Sequence, residues 1–222
     1  PIAKAAQEFL DRGLVPLPLA AASKQPLMKR WPDYRPDLAR RDQDFRANAN
    51  IGLILGQPSG YLVDVDSDWP EAGKLLPDFL PASWTFGRLG DDGEMLVRHR
   101  LFRSIGSKTL TFDAPVTGGQ STNRRIIEIL ADGRQVMVPP SVHPSGQEVQ
   151  WIISPAQVAL AEISEESLRK QVSHLAGAAL LARQWRTLHG TRHQTAAALA
   201  GACCYAGWDP ETTERLLTAT FK

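Results

Sequence analysis

The stretch Tyr61-Leu-Val-Asp-Val-Asp66 leads from apolar residues into two acids separated by one valine. Because successive side chains of a β-strand point to opposite faces, Asp64 and Asp66 share a face and lie about 7 Å apart. Carboxylates at that spacing can converge on one or two Mg²⁺ ions, which would offset the cost of burying acids in an apolar strand. The alternative is a strand end where both acids begin a turn with Ser67 and Asp68. The stretch predicts a strand and by itself favours neither a metal site nor a turn.

A third acid lies in the segment Arg125-Ile-Ile-Glu-Ile-Leu130, where Glu128 interrupts an otherwise apolar strand. An unpaired carboxylate in such a strand is costly, so Glu128 needs a positive partner. A third metal ligand satisfies that need, and an ion pair with Arg124 or Arg100 is the alternative.

A histidine occupies the middle of another predicted strand, Val97-Arg-His-Arg-Leu-Phe102. Alternation places Arg98 and Arg100 on the face opposite His99. A histidine that donates to a triphosphate oxygen would complement carboxylates that hold a metal, whereas a purely structural histidine is the alternative. The loop Val138-Pro-Pro-Ser-Val-His-Pro-Ser-Gly146 is stiffened by its prolines and would present Ser141 and His143. Nucleotide contact and a turn with satisfied hydroxyl groups are both compatible with that loop.

The remaining pattern predicts an α+β fold in two parts. Further strands are predicted over 14–19, 51–55, 84–86, 109–112, 135–138 and 148–153, and helices over 3–11, 37–45 and 70–76. From Ser164 onward the pattern is helical and rich in Ala and Leu, and Gly190, Gly207 and Pro210 divide it into about three helices. We expect one domain over residues 1–155 and a small all-α domain over 156–222.

Composition bounds the class of protein. A chain of 222 residues with 43% hydrophobic residues can bury a sizeable core, and no apolar run reaches the length of about 18 residues that spans a bilayer. We therefore expect a soluble, cytoplasmic protein without a membrane partner. The net charge of +1 hides a basic segment over 95–127, in which six cations face one acid, Asp113. Two adjacent cysteines, Cys203 and Cys204, cannot form a four-ligand zinc site and are expected in the core.

These segments, in this order, resemble the bifunctional primase–polymerase (prim-pol) family of the archaeo-eukaryotic primase superfamily, which is common in plasmids, phages and mobile elements. The family pattern of hhhDhD, a phosphate-binding His and hhD or hhE matches LVDVD, VRHRLF and IIEIL. Three further stretches are similar to the family: Ser23-Lys-Gln-Pro26 leading to Trp31, Ala49-Asn-Ile-Gly52, and the loop before Trp151. One departure is that Arg98 and Val97 stand where the family often has a hydroxyl residue.

The resemblance implies a mixed or antiparallel-sheet catalytic domain followed by a helical accessory domain. It implies a DNA primase and polymerase that joins nucleoside triphosphates to a 3′-hydroxyl with two Mg²⁺ or Mn²⁺ ions held by Asp64, Asp66 and Glu128. Its partners would be a single-stranded DNA template, a primer, dNTP or NTP, and a helicase in a longer parent protein. Expected nucleotide-binding residues are His99, Arg98, Arg100, Arg103, Ser141, His143, Lys24 and Asn50. Expected nucleic-acid-binding residues are Lys108, Arg124, Arg125, Arg192 and His193, with Arg183 and Arg186 as further candidates.

Two other functions are compatible with the same residues. A two-metal nuclease also uses an Asp-x-Asp pair and a Glu. A non-catalytic, DNA-binding replication initiator would bind DNA without a metal and would tolerate loss of the acids.

Overall fold

The computed structural model describes residues 2–37, 41–90, 92–115, 124–185 and 190–221. Within these ranges the helices are α1 (Ile2–Leu10), α2 (Arg41–Asp44), α3 (Pro70–Phe79), α4 (Glu165–Trp185), α5 (Arg192–Tyr205) and α6 (Pro210–Phe221). The strands are β1 (Pro16–Leu19), β2 (Asn50–Ile54), β3 (Leu62–Ser67), β4 (Thr85–Leu89), β5 (Met95–Arg103), β6 (Leu110–Asp113), β7 (Arg125–Leu130), β8 (Gln135–Met137) and β9 (Gln150–Ile153). The predicted α+β class is confirmed.

The strands form two antiparallel sheets. The large sheet has six strands in the order β6-β7-β3-β5-β4-β9, and the small sheet has three in the order β1-β2-β8. Strand β3, which carries the Asp-Val-Asp stretch, therefore lies in the middle of the large sheet, between β7 and β5.

The two faces of β3 belong to two different hydrophobic clusters. Val63 and Val65 pack with α3 and the C-terminal helices, while Leu62 packs with the small sheet and α1. Since Asp64 and Asp66 alternate in step with Leu62, both acids face the cleft between the two sheets. The hydrophobic alternation of one strand thus directs the acids to the cleft.

The C-terminal helices pack on the other face of the large sheet. Leu168, Val172 and Leu216 belong to the same buried cluster as Val63 and Val65. Arg183 of α4 pairs with Glu71 at 2.7 Å, and its guanidinium lies 3.4 Å from the centroid of the Trp69 ring. The boundary predicted near residue 155 falls between β9 and α4. The cluster that contains Val63 and Val65 includes residues from both sides of this boundary, so the division into two domains stays a prediction.

Two local expectations needed correction. Helix α3 was predicted to end at Leu76 but continues through Pro77 to Phe79, because Leu75, Leu76 and Phe79 are all buried on its sheet-facing side. Cys203 is buried as predicted, whereas Cys204 is exposed. None of the helices in the described ranges has the length and apolarity needed to span a membrane.

Candidate active site

A single row of cross-strand neighbours runs over the large sheet and passes through Asp66. The register pairs Thr111 with Glu128, Glu128 with Asp66, Asp66 with His99, His99 with Phe86, and Phe86 with Trp151. Directly opposed residues of antiparallel strands share a face, with Cβ atoms about 4.5–5.5 Å apart. The three segments singled out in the sequence are therefore brought together, with an acid on β7, an acid on β3 and a histidine on β5.

Asp64, Asp66 and His99 form a group that can hold a cation. One ligand atom from each residue lies within 4.8 Å of the others. His99 Nδ1 is 2.8 Å from Asp64 Oδ2 and 3.6 Å from Asp66 Oδ1. Asp64 is fully buried, and its Oδ1 has no hydrogen-bond partner among the described residues. An orphaned, buried carboxylate oxygen beside a second carboxylate is a donor set that suits Mg²⁺ or Mn²⁺.

The electrostatics of this group follow from burial. Burial raises the pKa of Asp64 to about 6, although the charge of His99 and its hydrogen bond oppose the change. For His99, burial works to lower the pKa, but Asp66 and Asp64 outweigh it and leave the pKa raised. His99 Nδ1 shares a hydrogen bond with Asp64, and the imidazole ring stacks on Phe86 at 4.7 Å between centroids. These contacts fix the orientation of the ring, whose second polar atom is Nε2.

Glu128 lies beside the group but is engaged elsewhere. Thr111 Oγ1 donates to Glu128 Oε1 at 3.0 Å, and Arg125 pairs with Glu128 Oε2 at 3.0 Å. The ion-pair alternative considered for Glu128 therefore exists, with Arg125 as the partner instead of Arg124 or Arg100. Its backbone position opposite Asp66 still matches that expected of a third ligand.

A cavity of about 160 Å³ opens next to Asp66 and His99, between the two sheets. Its basic lining residues are Lys24, Arg88, Arg98, His99 and His143. Such a concentration of cations and histidines beside two carboxylates is suited to a phosphorylated ligand that brings its own divalent ion.

The position of Arg98 corrects the sequence prediction. Strand β4 pairs Phe86 with His99 and Gly87 with Val97, so Arg98 is an extra residue, a β-bulge. Alternation is broken there. Val97 packs against the hydrophobic cluster that contains Val63, Val65 and the C-terminal helices (the helix-side cluster), while Arg98 lines the cavity with His99. The Arg98 Nη1 donates to the carbonyl oxygens of Ser67 and Asp68 at 3.1 and 2.6 Å. Arg98 thus lies on the His99 side and not opposite it.

Arg100 and Arg103 do not reach the cavity, contrary to prediction. Arg100 is buried on the helix side, where it donates to the carbonyl oxygens of Leu80 and Pro81 at 3.1 and 3.2 Å. Those carbonyls follow the end of α3 and need donors, which explains a buried arginine there. Arg103, at the far end of β5, donates to the carbonyl oxygen of Gly60 at 2.9 Å.

Asn50 and Ser141 brace the cleft instead of facing it, so direct nucleotide contact by either is not supported. Asn50 Nδ2 donates to the carbonyl oxygens of Ser23 and Val142 at 3.0 and 2.7 Å. Ser141 Oγ accepts the backbone N–H of Ile51 at 3.0 Å and donates to its carbonyl oxygen. These bonds tie together the two loops that carry Lys24 and His143.

The predicted nucleic-acid contacts lie on the surface. Lys108, Arg192 and His193 are exposed, and Arg124 donates to the Ala114 carbonyl at 2.9 Å. Their roles stay predictions, as does that of Arg183, which is engaged with Glu71 and Trp69. Arg186 lies outside the described residues.

Two residues of the site were missed by sequence reasoning. Arg88 of β4 lines the cavity, and nothing in the segment Thr85–Leu89 distinguishes it from a surface arginine. The sequence predicts Asp68 only as a turn residue, although its spacing from Asp66 repeats the Asp64–Asp66 interval. Burial is the largest cause that raises the pKa of Asp68 to about 6, and the negative charges of Asp66 and Glu128 add to it, so Asp68 is electrostatically coupled to these acids.

A comparison with protein-family models finds a match to "Bifunctional DNA primase/polymerase, N-terminal" (Prim-Pol), over residues 6–166. The chain belongs to the Prim-Pol family. The match covers both sheets and every residue of the row from Thr111 to Trp151, and it ends at the start of α4. Membership in the Prim-Pol family points to a nucleotidyltransferase of the DNA primase/polymerase type, with DNA and nucleotides as substrates. No curated protein matches the chain significantly.

Proposed function

We propose that this Prim-Pol chain joins nucleoside triphosphates to the 3′-hydroxyl of a primer on a single-stranded DNA template, with two Mg²⁺ or Mn²⁺ ions. The observation that carries the proposal is the convergence of Asp64, Asp66 and His99, with Glu128 on the next strand, at the mouth of a cation-lined cavity. The ions, when bound, activate the hydroxyl and stabilise the leaving pyrophosphate.

Each residue of the site has a role that follows from its position. Asp64 and Asp66 would hold the ions from β3, and Glu128 would complete the ligand set from β7. His99 keeps its Nδ1–H on Asp64 and presents Nε2–H as a donor for a phosphate oxygen. Lys24, Arg88 and Arg98 neutralise the triphosphate charge from the cavity walls.

His143 contributes a neutral donor. Burial is the largest cause that lowers the pKa of His143 to about 4, and the charges of Arg88 and Lys24 add to it. The imidazole of His143 is therefore neutral at pH 7. The backbone N–H of Ser145 donates to Nδ1 at 3.1 Å, which leaves the proton on Nε2. His143 can therefore donate to a nucleotide without adding a charge to the cavity.

The nuclease and the non-catalytic initiator remain the competing functions. The family match and the cationic cavity favour a triphosphate ligand, which neither alternative requires. Replication of a plasmid, phage or mobile element, a helicase in the parent protein and a cytoplasmic location stay predictions.

The direct test is primer extension with labelled DNA, a dNTP mixture and Mg²⁺ or Mn²⁺. We expect the wild type to lengthen the primer and the Asp64→Ala, Asp66→Ala double variant to lose incorporation while keeping its circular dichroism spectrum. Shortening of the DNA without dNTPs would identify a nuclease. Undiminished synthesis by the double variant would rule the proposal out.

A further inference from the structure

The third acid of the site carries two partners before any metal arrives. Thr111 donates to Glu128 Oε1, and Arg125 occupies Oε2, both at 3.0 Å. Thr111 is neutral and can remain next to a bound cation, whereas a guanidinium at this distance repels one. A divalent ion bound by Glu128 therefore has to compete with Arg125.

A second bulge explains why Arg125 can reach Glu128. Residues three apart in a regular strand point to opposite faces, which would separate these two side chains. Strand β6 pairs Phe112 with Ile127 and Asp113 with Arg125, so Ile126 is the extra residue on β7. Ile126 and Ile127 consequently both lie in the helix-side cluster, and Arg125 is directed to the face of Glu128.

The two side chains differ in their freedom to move. The Glu128 side chain is 13% exposed, while that of Arg125 is 47% exposed. Because about half of its side chain is already in water, the Arg125 guanidinium can leave Glu128 for solvent, where water replaces the hydrogen bond that it gives up. The acid stays in the row, and the arginine is the partner that leaves.

We propose that Arg125 is the counter-ion of Glu128 in the metal-free protein and is displaced by the divalent ion that Glu128 helps to bind. Arg125 is then a positioning residue: it keeps the third acid in place between catalytic cycles and sets the metal affinity of the site. This inference rests on the proposed function, since it takes Glu128 as a metal ligand.

The test measures Mn²⁺ binding to the full chain without nucleotide or DNA, by electron paramagnetic resonance of the unbound ion. Removal of the competing charge should make Arg125→Ala bind Mn²⁺ about five- to tenfold more tightly. Arg124→Ala is the matched control, because within the described part of the chain its guanidinium donates to the Ala114 carbonyl oxygen. It should stay within about twofold of wild type.

Two further variants decide whether the effect passes through Glu128. Arg125→Gln removes the charge but keeps a donor, so it should also bind Mn²⁺ more tightly, while Arg125→Lys should resemble wild type. In a Glu128→Gln background the gain from Arg125→Ala should disappear. An unchanged or weaker Mn²⁺ affinity in both Arg125→Ala and Arg125→Gln overturns the inference but leaves the proposed function intact. Mn²⁺ binding that is unchanged in the Asp64→Ala, Asp66→Ala double variant overturns both the inference and the proposed function.

Discussion

The two strands that flank β3 share a local feature, a β-bulge, which has a different consequence in each strand. Both β5 and β7 contain a bulge, and each bulge turns an arginine toward the acids. On β5, Arg98 donates to backbone carbonyl oxygens of Ser67 and Asp68, so it is part of the framework. On β7, Arg125 pairs with the carboxylate of Glu128 and is half-exposed. The contrast indicates that Arg98 stays in place when a metal ion binds, whereas Arg125 is displaced from Glu128.

The strongest way to break this comparison is to remove the β5 bulge. A Cβ at Gly87 would lie 1.9 Å from the Leu96 carbonyl oxygen, which is backbone and cannot move aside easily. We expect Gly87→Ala to lower the free energy of unfolding by about 3 kcal/mol and to reduce incorporation at least about 100-fold, because Arg98 and His99 lose their positions. Thermal unfolding and primer extension measure the two effects.

Gly177→Ala in α4 is the matched control for that variant. Apart from the backbone of α4 itself, no atom of the described residues lies within 4 Å of a Cβ added there, and the residue is helical. Its stability should rise by about 0.5–1 kcal/mol with unchanged incorporation. If Gly87→Ala behaves like Gly177→Ala, the bulge does not matter to the site.

A second experiment sharpens the difference between the two arginines themselves. At saturating Mn²⁺, Arg98→Ala should raise the KM for dNTP about tenfold, since a cation of the cavity is lost. Arg98→Lys should not restore it, because one ammonium cannot reproduce the geometry of a guanidinium that donates to two carbonyls. Arg125→Ala, under the same conditions, should leave the KM for dNTP unchanged. Equal changes in both variants would contradict the distinction.

The pattern of side-chain alternation explains what could be predicted from sequence. It placed Asp64 and Asp66 on one face, assigned Glu128 and His99 to strands, and identified the α+β class, because these depend on regular strands with one buried face. It failed for Arg98, since a bulge changes the register without an obvious signal in the residues. Asn50, Ser141 and Arg100 bond mainly to backbone groups that are distant in sequence, which a linear pattern does not contain.

The smallest expected effect is the pH dependence of metal affinity, which comes from Asp64 of β3, the strand between β5 and β7. Burial raises the pKa of Asp64 to about 6, and only its ionised form can bind a cation. Metal affinity should therefore fall as pH falls through 6, to about fourfold weaker at pH 5.5 than at pH 7. Mn²⁺ titrations of wild type and Arg125→Ala should both show this step, and Asp64→Asn should lack it. A pH-independent affinity in the wild type would contradict the role of Asp64.

The most direct measurement is a crystal structure with Mn²⁺ and a non-hydrolysable dNTP, with the ions located by anomalous diffraction. We predict Mn²⁺ between Asp64, Asp66 and Glu128, the triphosphate on His99, Lys24, Arg88 and Arg98, and Arg125 withdrawn from Glu128. Ions and triphosphate bound away from the Asp64–Asp66 pair would contradict the account.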